Sequence, residues 1–302
     1  MNSNSLRMGV DLGGTKIEAL VLDGSGAELV RERVATPSGD YPATLQALAT
    51  LVGRLEARVG SQCRVGIGMP GAFSRATGRV KNSNSVCLNG QLLRQDLEAL
   101  LQRPLRFAND ADCFTLSEAT DGAARDAAVV FGVILGTGTG GGICVNGKLL
   151  AGPNAITGEW GHNPLPWPQV DELPGRKCYC GKQGCIETWV SGPGLAQDYQ
   201  EQAGRELTAE AIVDAAGQDD AVAQVTVDRY VDRLARALAG VINILDPDCI
   251  VLGGGMSNYA RLYEAVPACW GRYVFSDTVA TRLVPAEYGD SSGVRGAAWL
   301  WV

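Results

Sequence analysis

Long hydrophobic runs are missing from this sequence. No stretch approaches the roughly 18 consecutive apolar residues that a bilayer-spanning helix needs, which argues against a membrane-embedded chain. A secretory leader is missing too: MNSNSLRMGVDL carries one arginine and passes into an apolar strand without a small-residue cleavage site, so the expected compartment is the cytosol. Positive charge is in deficit, with 26 Lys and Arg against 33 Asp and Glu for a net charge of −7, and that balance offers no broad basic face for nucleic-acid phosphates. Histidine is nearly absent, His162 being the only one. Cysteine is not scarce, but nine thiols, an odd number spread over 302 residues with no export signal, read as reduced side chains rather than a disulfide framework.

What is present is a globular composition, 46% hydrophobic and 20% charged, in a chain long enough for two lobes of roughly 120 to 170 residues each. Residues 7–35 read as a three-stranded antiparallel meander whose second turn is marked by Gly24 and Gly26. Leu45, Leu48, Ala49, Val52 and Leu55 then recur at helical spacing, and RVGIGMPG is a buried strand. After a further helix over 92–101, LRFAND is a short strand leading into the helix DCFTLSEA. The first lobe is therefore placed at 1–122 and the second at 123–290, with the closing helix 291–302 packing back on the first. The second lobe restarts the pattern of the first, since AVVFGVILGTGTGGGICVNGKLLAG is again strand, glycine turn and strand, which suggests an ancient duplication. Residues 153–190, rich in Gly, Pro, Trp and Cys, form an irregular insertion too long for a casual loop.

Three glycine turns stand out. Asp11, Gly13, Gly14, Thr15 and Lys16 lie between two strands, where glycine amides can meet a polyphosphate, Thr15 and Lys16 add donors, and Asp11 can hold water around Mg2+; a plain hairpin turn explains the glycine pair equally well. Gly136, Thr137, Gly138, Thr139, Gly140 and Gly141 occupy the corresponding turn of the second lobe. Gly253, Gly254 and Gly255 end a buried strand, where a base or ribose can lie against exposed backbone. At the end of LRFAND, Asp110 is well placed to take a proton from a hydroxyl, although from that tetrapeptide alone Asn109 and Asp110 read more simply as a helix cap.

His162 with Cys178, Cys180 and Cys185 supplies three soft sulfurs and one nitrogen, the donor set of a structural zinc site with no open position, in preference to ordinary buried thiols. Glu159 and Glu187 flank this cluster and can accept from sugar hydroxyls if the insertion folds as one knob; a surface glutamate explains either as well.

These pieces together resemble the ROK family of sugar kinases and repressors, within the actin-like, ribonuclease-H-like superfamily. The most specific stretches are GEWGHNPLPW and CYCGKQGCIET, and the resemblance runs from the DLGGTK turn to the final helix. It implies an α/β two-lobed ATPase fold with an interlobe cleft, Mg2+-ATP held by the three glycine turns, and Asp110 as the base. It further implies that Asn84, Asn109, Glu159, His162 and Glu187 hold the other hexose hydroxyls, and that the protein is a homodimer. One departure from the family pattern is Asp112, where an asparagine is usual. NSNSVCLNG, NPLPW and GDSSGVRGAAWLW resemble the fructokinase subgroup, which implies D-fructose, and also D-mannose, as substrate with the 6-phosphate as product. Kinases of N-acetylglucosamine, N-acetylmannosamine or glucose are the rivals on this scaffold. A sugar-responsive repressor would need a DNA-binding helix-turn-helix for which the eight or so residues before the first strand leave no room, and an actin-like filament protein has no use for the thiol cluster.

Overall fold

The computed structural model describes residues 6–301, and the chain separates into two units. The first takes the chain up to Arg125, the segment Gly147–Thr157 and the chain from Asp290 onward. Its strands β1 (Arg7–Leu12), β2 (Lys16–Leu22) and β3 (Glu28–Ala35) form the meander, followed by α1 (Tyr41–Val59) and β4 (Arg64–Met69). A small hairpin of β5 (Ala72–Phe73) and β6 (Val80–Lys81), α2 (Leu93–Leu101), β7 (Arg106–Asn109) and α3 (Asp110–Thr120) complete the run. The sheet order is β3-β2-β1-β4-β7, with β1, β4 and β7 parallel. This register pairs Asp11 with Gly68, Gly68 with Ala108 and Met69 with Asn109, so the carboxyl ends of three parallel strands carry Asp11, Asn109 and Asp110 to one edge. Open α/β sheets bind ligands at that edge.

Local chemistry accounts for the helices. Asp40 caps α1 by accepting from the Ala43 amide at 2.9 Å, Pro42 sits in the first turn, and Gly60 ends the helix at φ 66°. The closing helix α9 (Ser292–Trp299) lies on β1, β4 and α3 at backbone distance. A β-carbon on Gly296 would stand 1.7 Å from the Cys113 carbonyl oxygen, and one on Gly9 would stand 1.9 Å from that of Val294. The segment Gly147–Thr157, which the linear division assigns to the second lobe, belongs to the first unit, where β10 (Lys148–Leu149) lies beside α3.

The second unit repeats the opening of the first. The strands β8 (Val129–Leu135) and β9 (Thr139–Val145) form an antiparallel hairpin, and β11 (Cys249–Gly253) joins β8 in parallel, followed by β12 (Arg282–Pro285). Its helices are α4 (Glu187–Val190), α5 (Gly192–Ala203), α6 (Ala209–Gly217), the 25-residue α7 (Ala221–Leu245) and α8 (Leu262–Trp270). Asp220 caps α7 through the Val222 and Ala223 amides, and Asp246 stops it at φ 48°, just before Pro247. Leu234, Leu238 and Ile242 face the core with Phe131, Val133, Trp160 and Trp189.

The irregular stretch between Gly158 and Ile186 is tied to α7 by buried charge. Glu172 accepts from Arg233 Nε at 2.8 Å and from Arg236 Nη1 and Nη2 at 2.8 and 2.7 Å, and Arg236 also donates to the Trp167 carbonyl at 2.9 Å. Desolvation alone would raise the Glu172 carboxyl, but the guanidinium hydrogen bonds outweigh it and hold the group down to about 2. The pairing therefore contributes above the ordinary value of 4.5 and is lost as pH falls toward 2. Replacing Glu172 with alanine leaves Arg233 only Asp198, at 2.9 Å, and Arg236 only Asp232, at 2.9 Å, as carboxylate partners, and should cost about 3 kcal/mol in denaturant unfolding at neutral pH, the lower end for a broken buried pair. Breaking the exposed Arg282–Asp126 pair should cost less than about 1 kcal/mol, and equal effects would deny the network its role.

Candidate active site and metal centre

In the first unit the turn after Asp11 is shaped by backbone contacts. The Gly13 amide donates to the Lys16 carbonyl at 3.0 Å, and a β-carbon on Gly13 would approach that oxygen to 2.9 Å. Thr36, which sequence reading did not single out, fastens the turn from the end of β3: its amide donates to the Thr15 carbonyl at 3.0 Å and its hydroxyl to the Gly13 carbonyl at 2.8 Å. Gly14 and Thr15 are left exposed at the tip, with Lys16 half-buried.

Asn109 and Asp110 stand side by side at the start of α3 in different surroundings. Asn109 is the cap of α3, its Oδ1 accepting from the Asp112 amide at 2.6 Å, which directs its Nδ2 donors elsewhere. Asp110 begins the helix, and one carboxyl oxygen accepts from the Ala111 amide at 2.9 Å. The Asp110 carboxyl is accessible to solvent yet crowded by surrounding protein, and this desolvation raises its pKa against the lowering effect of the backbone amides. Asp11 is pushed up to about 6, by desolvation first and then by the charges of Asp110 and Glu18, with Lys16 and Arg33 opposing. Asn84 is exposed on a loop that Asn89 fastens, through hydrogen bonds of 2.9 Å from the Ser83 amide and 2.8 Å to the Ser83 carbonyl.

In the second unit a cavity of about 480 Å³ opens beside the second glycine turn. Gly136, Thr137 and Gly255 line it, joined by residues that periodicity had not marked: Gly192 and Pro193 at the start of α5, and Thr208 and Glu210 at the start of α6. The signal for these lay in the caps, since Ser191 and Thr208 precede their helices in the manner of N-caps. The other glycines of the two clusters are not in that lining. Gly141 and Gly253 are buried, a β-carbon on Gly141 would meet the Trp160 ring at 2.8 Å, and Gly254, at φ 82°, sits against the Leu135 carbonyl. Thr139 is buried, and Gly140 lies in β9, where its carbonyl accepts from the Trp160 indole at 3.0 Å. Glu187 Oε2 accepts from the Thr139 amide at 2.9 Å, and Gly138 is where a β-carbon would stand 2.7 Å from that same oxygen. Glu187 thus supports the glycine turn from the first residue of α4.

His162, Cys178, Cys180 and Cys185 converge, with one donor atom from each lying within 4.8 Å of all the others. Cys178 Sγ stands 3.6 Å from His162 Nδ1, and Cys180 Sγ stands 3.6 Å from Cys185 Sγ. Ligands about 2.3 Å from a tetrahedral zinc are separated by about 3.8 Å along each edge, so the spacing fits one ion and is far too long for a disulfide. Gly181 and Gly184, at φ 87° and 72°, make the turn between the thiols possible. His162 Nε2 points outward and is 3.0 Å from the Tyr179 hydroxyl. Desolvation, and then the charges of Glu187, Cys178 and Glu159, push that phenol up to about 12. Glu159 is exposed immediately before the short turn Trp160–His162.

Two α/β units, each opening with a hairpin turned on glycines, together with a thiol cluster in the second, define the architecture of the actin-like sugar kinases. The ROK family profile matches residues 7–302, and the chain belongs to the ROK family. It is 43% identical over 298 residues to an N-acetyl-D-glucosamine kinase of Yersinia pseudotuberculosis, covering 97% of each chain. A ROK hexokinase from Thermus thermophilus superposes with a TM-score of 0.87 at 30% identity over 97% of each chain. A ROK glucokinase from Streptomyces griseus, solved with glucose and AMPPNP, gives 0.77 at 28% identity over 98% of each.

Because the folded pKa of Asp11 is raised, its contribution to stability is fully present below 3.8 and is lost as pH rises through about 6. Asp11→Asn should therefore make the ligand-free protein more stable at pH 7, by up to about 3 kcal/mol in denaturant unfolding, and flatten its stability between these pH values. A variant less stable than the parent would show that the carboxylate is not desolvated at a cost.

Proposed function

We propose that this protein transfers the γ-phosphoryl group of ATP to the 6-hydroxyl of an N-acetylhexosamine, N-acetylglucosamine foremost. The observation that carries the reading is Asp110, an accessible carboxylate whose pKa is raised and whose position is set by the Ala111 amide at the start of α3. Such a group suits proton abstraction from an alcohol as its oxygen attacks phosphorus, the bond to the ADP oxygen breaking as the new one forms. Asp11, Gly13, Gly14, Thr15 and Lys16 take the phosphates and the water shell of their Mg2+, and the cavity beside Gly136, Thr137 and Gly255 takes the nucleoside. Asn84, Asn109, Glu159, His162 and Glu187 take the remaining sugar hydroxyls, and the four-donor cluster holds zinc as a structural ion. Alignment of the reactants and compensation of charge provide most of the acceleration.

The sugar assignment departs from the fructokinase resemblance. Identity of 43% across nearly the whole chain with an N-acetyl-D-glucosamine kinase outweighs the three short stretches that point to fructose. Discrimination among hexoses rests on the geometry of a few hydroxyl contacts, which short peptide likenesses do not report.

Coupled measurement of ADP release with N-acetylglucosamine, N-acetylmannosamine, N-acetylgalactosamine, glucose, mannose and fructose should give the highest kcat/KM for N-acetylglucosamine. A clear preference for fructose would return the assignment to the fructokinase subgroup. Asp110→Asn should lower kcat by roughly 10²–10⁴-fold while leaving ATP affinity near that of the parent. Near-normal turnover in that variant would remove Asp110 from the chemistry.

A further inference from the structure

The cavity beside the second glycine turn has one charged wall. Among the described residues that line it Glu210 alone carries charge, and the apolar part of the lining comes from residues such as Pro193, Ala196 and Met256. Its volume of about 480 Å³ lies within the range of small-molecule sites. A site with a carboxylate and no cation repels phosphate and favours a group that brings hydroxyl or amino donors. Glu210 is exposed, and its carboxylate makes no hydrogen bond or ion pair with any described residue. Ile212, two residues on and so about 200° round α6, is buried, which leaves Glu210 on the side away from the core.

The starts of α5 and α6 close against the turn. The Gly192 amide donates to the Gly136 carbonyl at 2.9 Å, and a β-carbon on Gly192 would stand 3.4 Å from that oxygen and 3.7 Å from the Ala209 β-carbon. Glu210 follows Ala209 and so rises from the wall beside the turn. Within the turn the Thr137 and Gly138 amides donate to no described residue, which suits them to phosphate oxygens. In a nucleotide the ribose is the part that adjoins the phosphates, and its 2′ and 3′ hydroxyls present two donors to the two oxygens of one carboxylate.

We propose that Glu210 is a specificity residue for the nucleotide: its carboxylate accepts from the ribose 2′ and 3′ hydroxyls and makes the site select ribonucleotides over deoxyribonucleotides. This assignment deepens the reading of the cavity as the nucleoside site and rests on it. It requires no particular sugar as acceptor.

Calorimetric titration of the full chain with Mg2+ and ADP, 2′-deoxyADP, 3′-deoxyADP or inosine diphosphate tests it without turnover. The parent should bind each deoxy analogue roughly tenfold or more weakly than ADP, the size of one hydrogen bond to a charged group. Glu210→Ala should bring ADP and the two deoxy analogues to nearly equal affinity, with the largest loss for ADP, and Glu210→Gln, which keeps one neutral acceptor oxygen, should fall between. Equal binding of ADP and both deoxy analogues by the parent would overturn the proposal and leave the kinase reading intact. An unchanged ratio in Glu210→Ala, with all three nucleotides weakened alike, would reduce Glu210 to a complement of the α6 dipole. A preference for ADP over inosine diphosphate, which lacks the amino group of the base, that disappears in Glu210→Ala while the deoxy analogues bind like ADP would move the contact to the base and equally overturn it. A parent that binds none of the four would defeat the nucleoside reading and the proposal together.

Discussion

The convergence of one imidazole and three thiols is the constraint on which the second unit's chemistry depends. Between Gly158 and Ile186 the chain has almost no regular secondary structure, only short turns at Trp160–His162 and Val170–Glu172 and isolated bridges that pair Pro164 with Cys185 and Lys177 with Gln183. Such a stretch cannot hold side chains in place through a backbone ladder, so it needs fixed points. The four donors are one such point, and Glu172 between Arg233 and Arg236 is the other. Between them they place Glu159, His162 and Tyr179, and through Cys185 they lead directly into α4, whose first residue supports the glycine turn.

The first unit solves a different problem. Its parallel strands bring Asp11 and Asp110 to one sheet edge, where surrounding protein crowds both carboxyls and the charge of Asp110 adds to the cost of charging Asp11. That arrangement costs stability in the ligand-free protein, and perturbed carboxyls of this kind gather at functional sites. Glu18 directly opposes Asp11 across β1 and β2 and is itself neutralised by Arg31 and Arg33. The field at Asp11 is therefore set by three strands rather than by one turn.

What could be read in the sequence was local. DLGGTK, the glycine run from 136, the helix over 41–59 and the Cys178–Cys185 spacing each carry their meaning within a few residues, and the structure has the turns, the helix and the converging thiols at those places. The buried network was not readable, because nothing distinguishes Glu172, Arg233 and Arg236 from other charged residues until α7 is laid against the insertion, across separations of 61 and 64 positions. The cavity lining was missed for the same reason: the starts of α5 and α6 come together with the turn at Gly136 only in three dimensions. Glycines posed the opposite difficulty. Gly136 and Gly141 are the same letter in one run, yet the first lines the cavity and the second makes room for Trp160, a distinction made by the neighbour and not by the residue.

The measurement that bears most directly on this account is X-ray absorption at the zinc edge on protein purified without added metal. The account predicts one zinc per chain with three sulfur neighbours at about 2.3 Å and one nitrogen at about 2.0–2.1 Å. Protein that is folded and active with no bound metal, or an ion surrounded by oxygen and nitrogen alone, would contradict it.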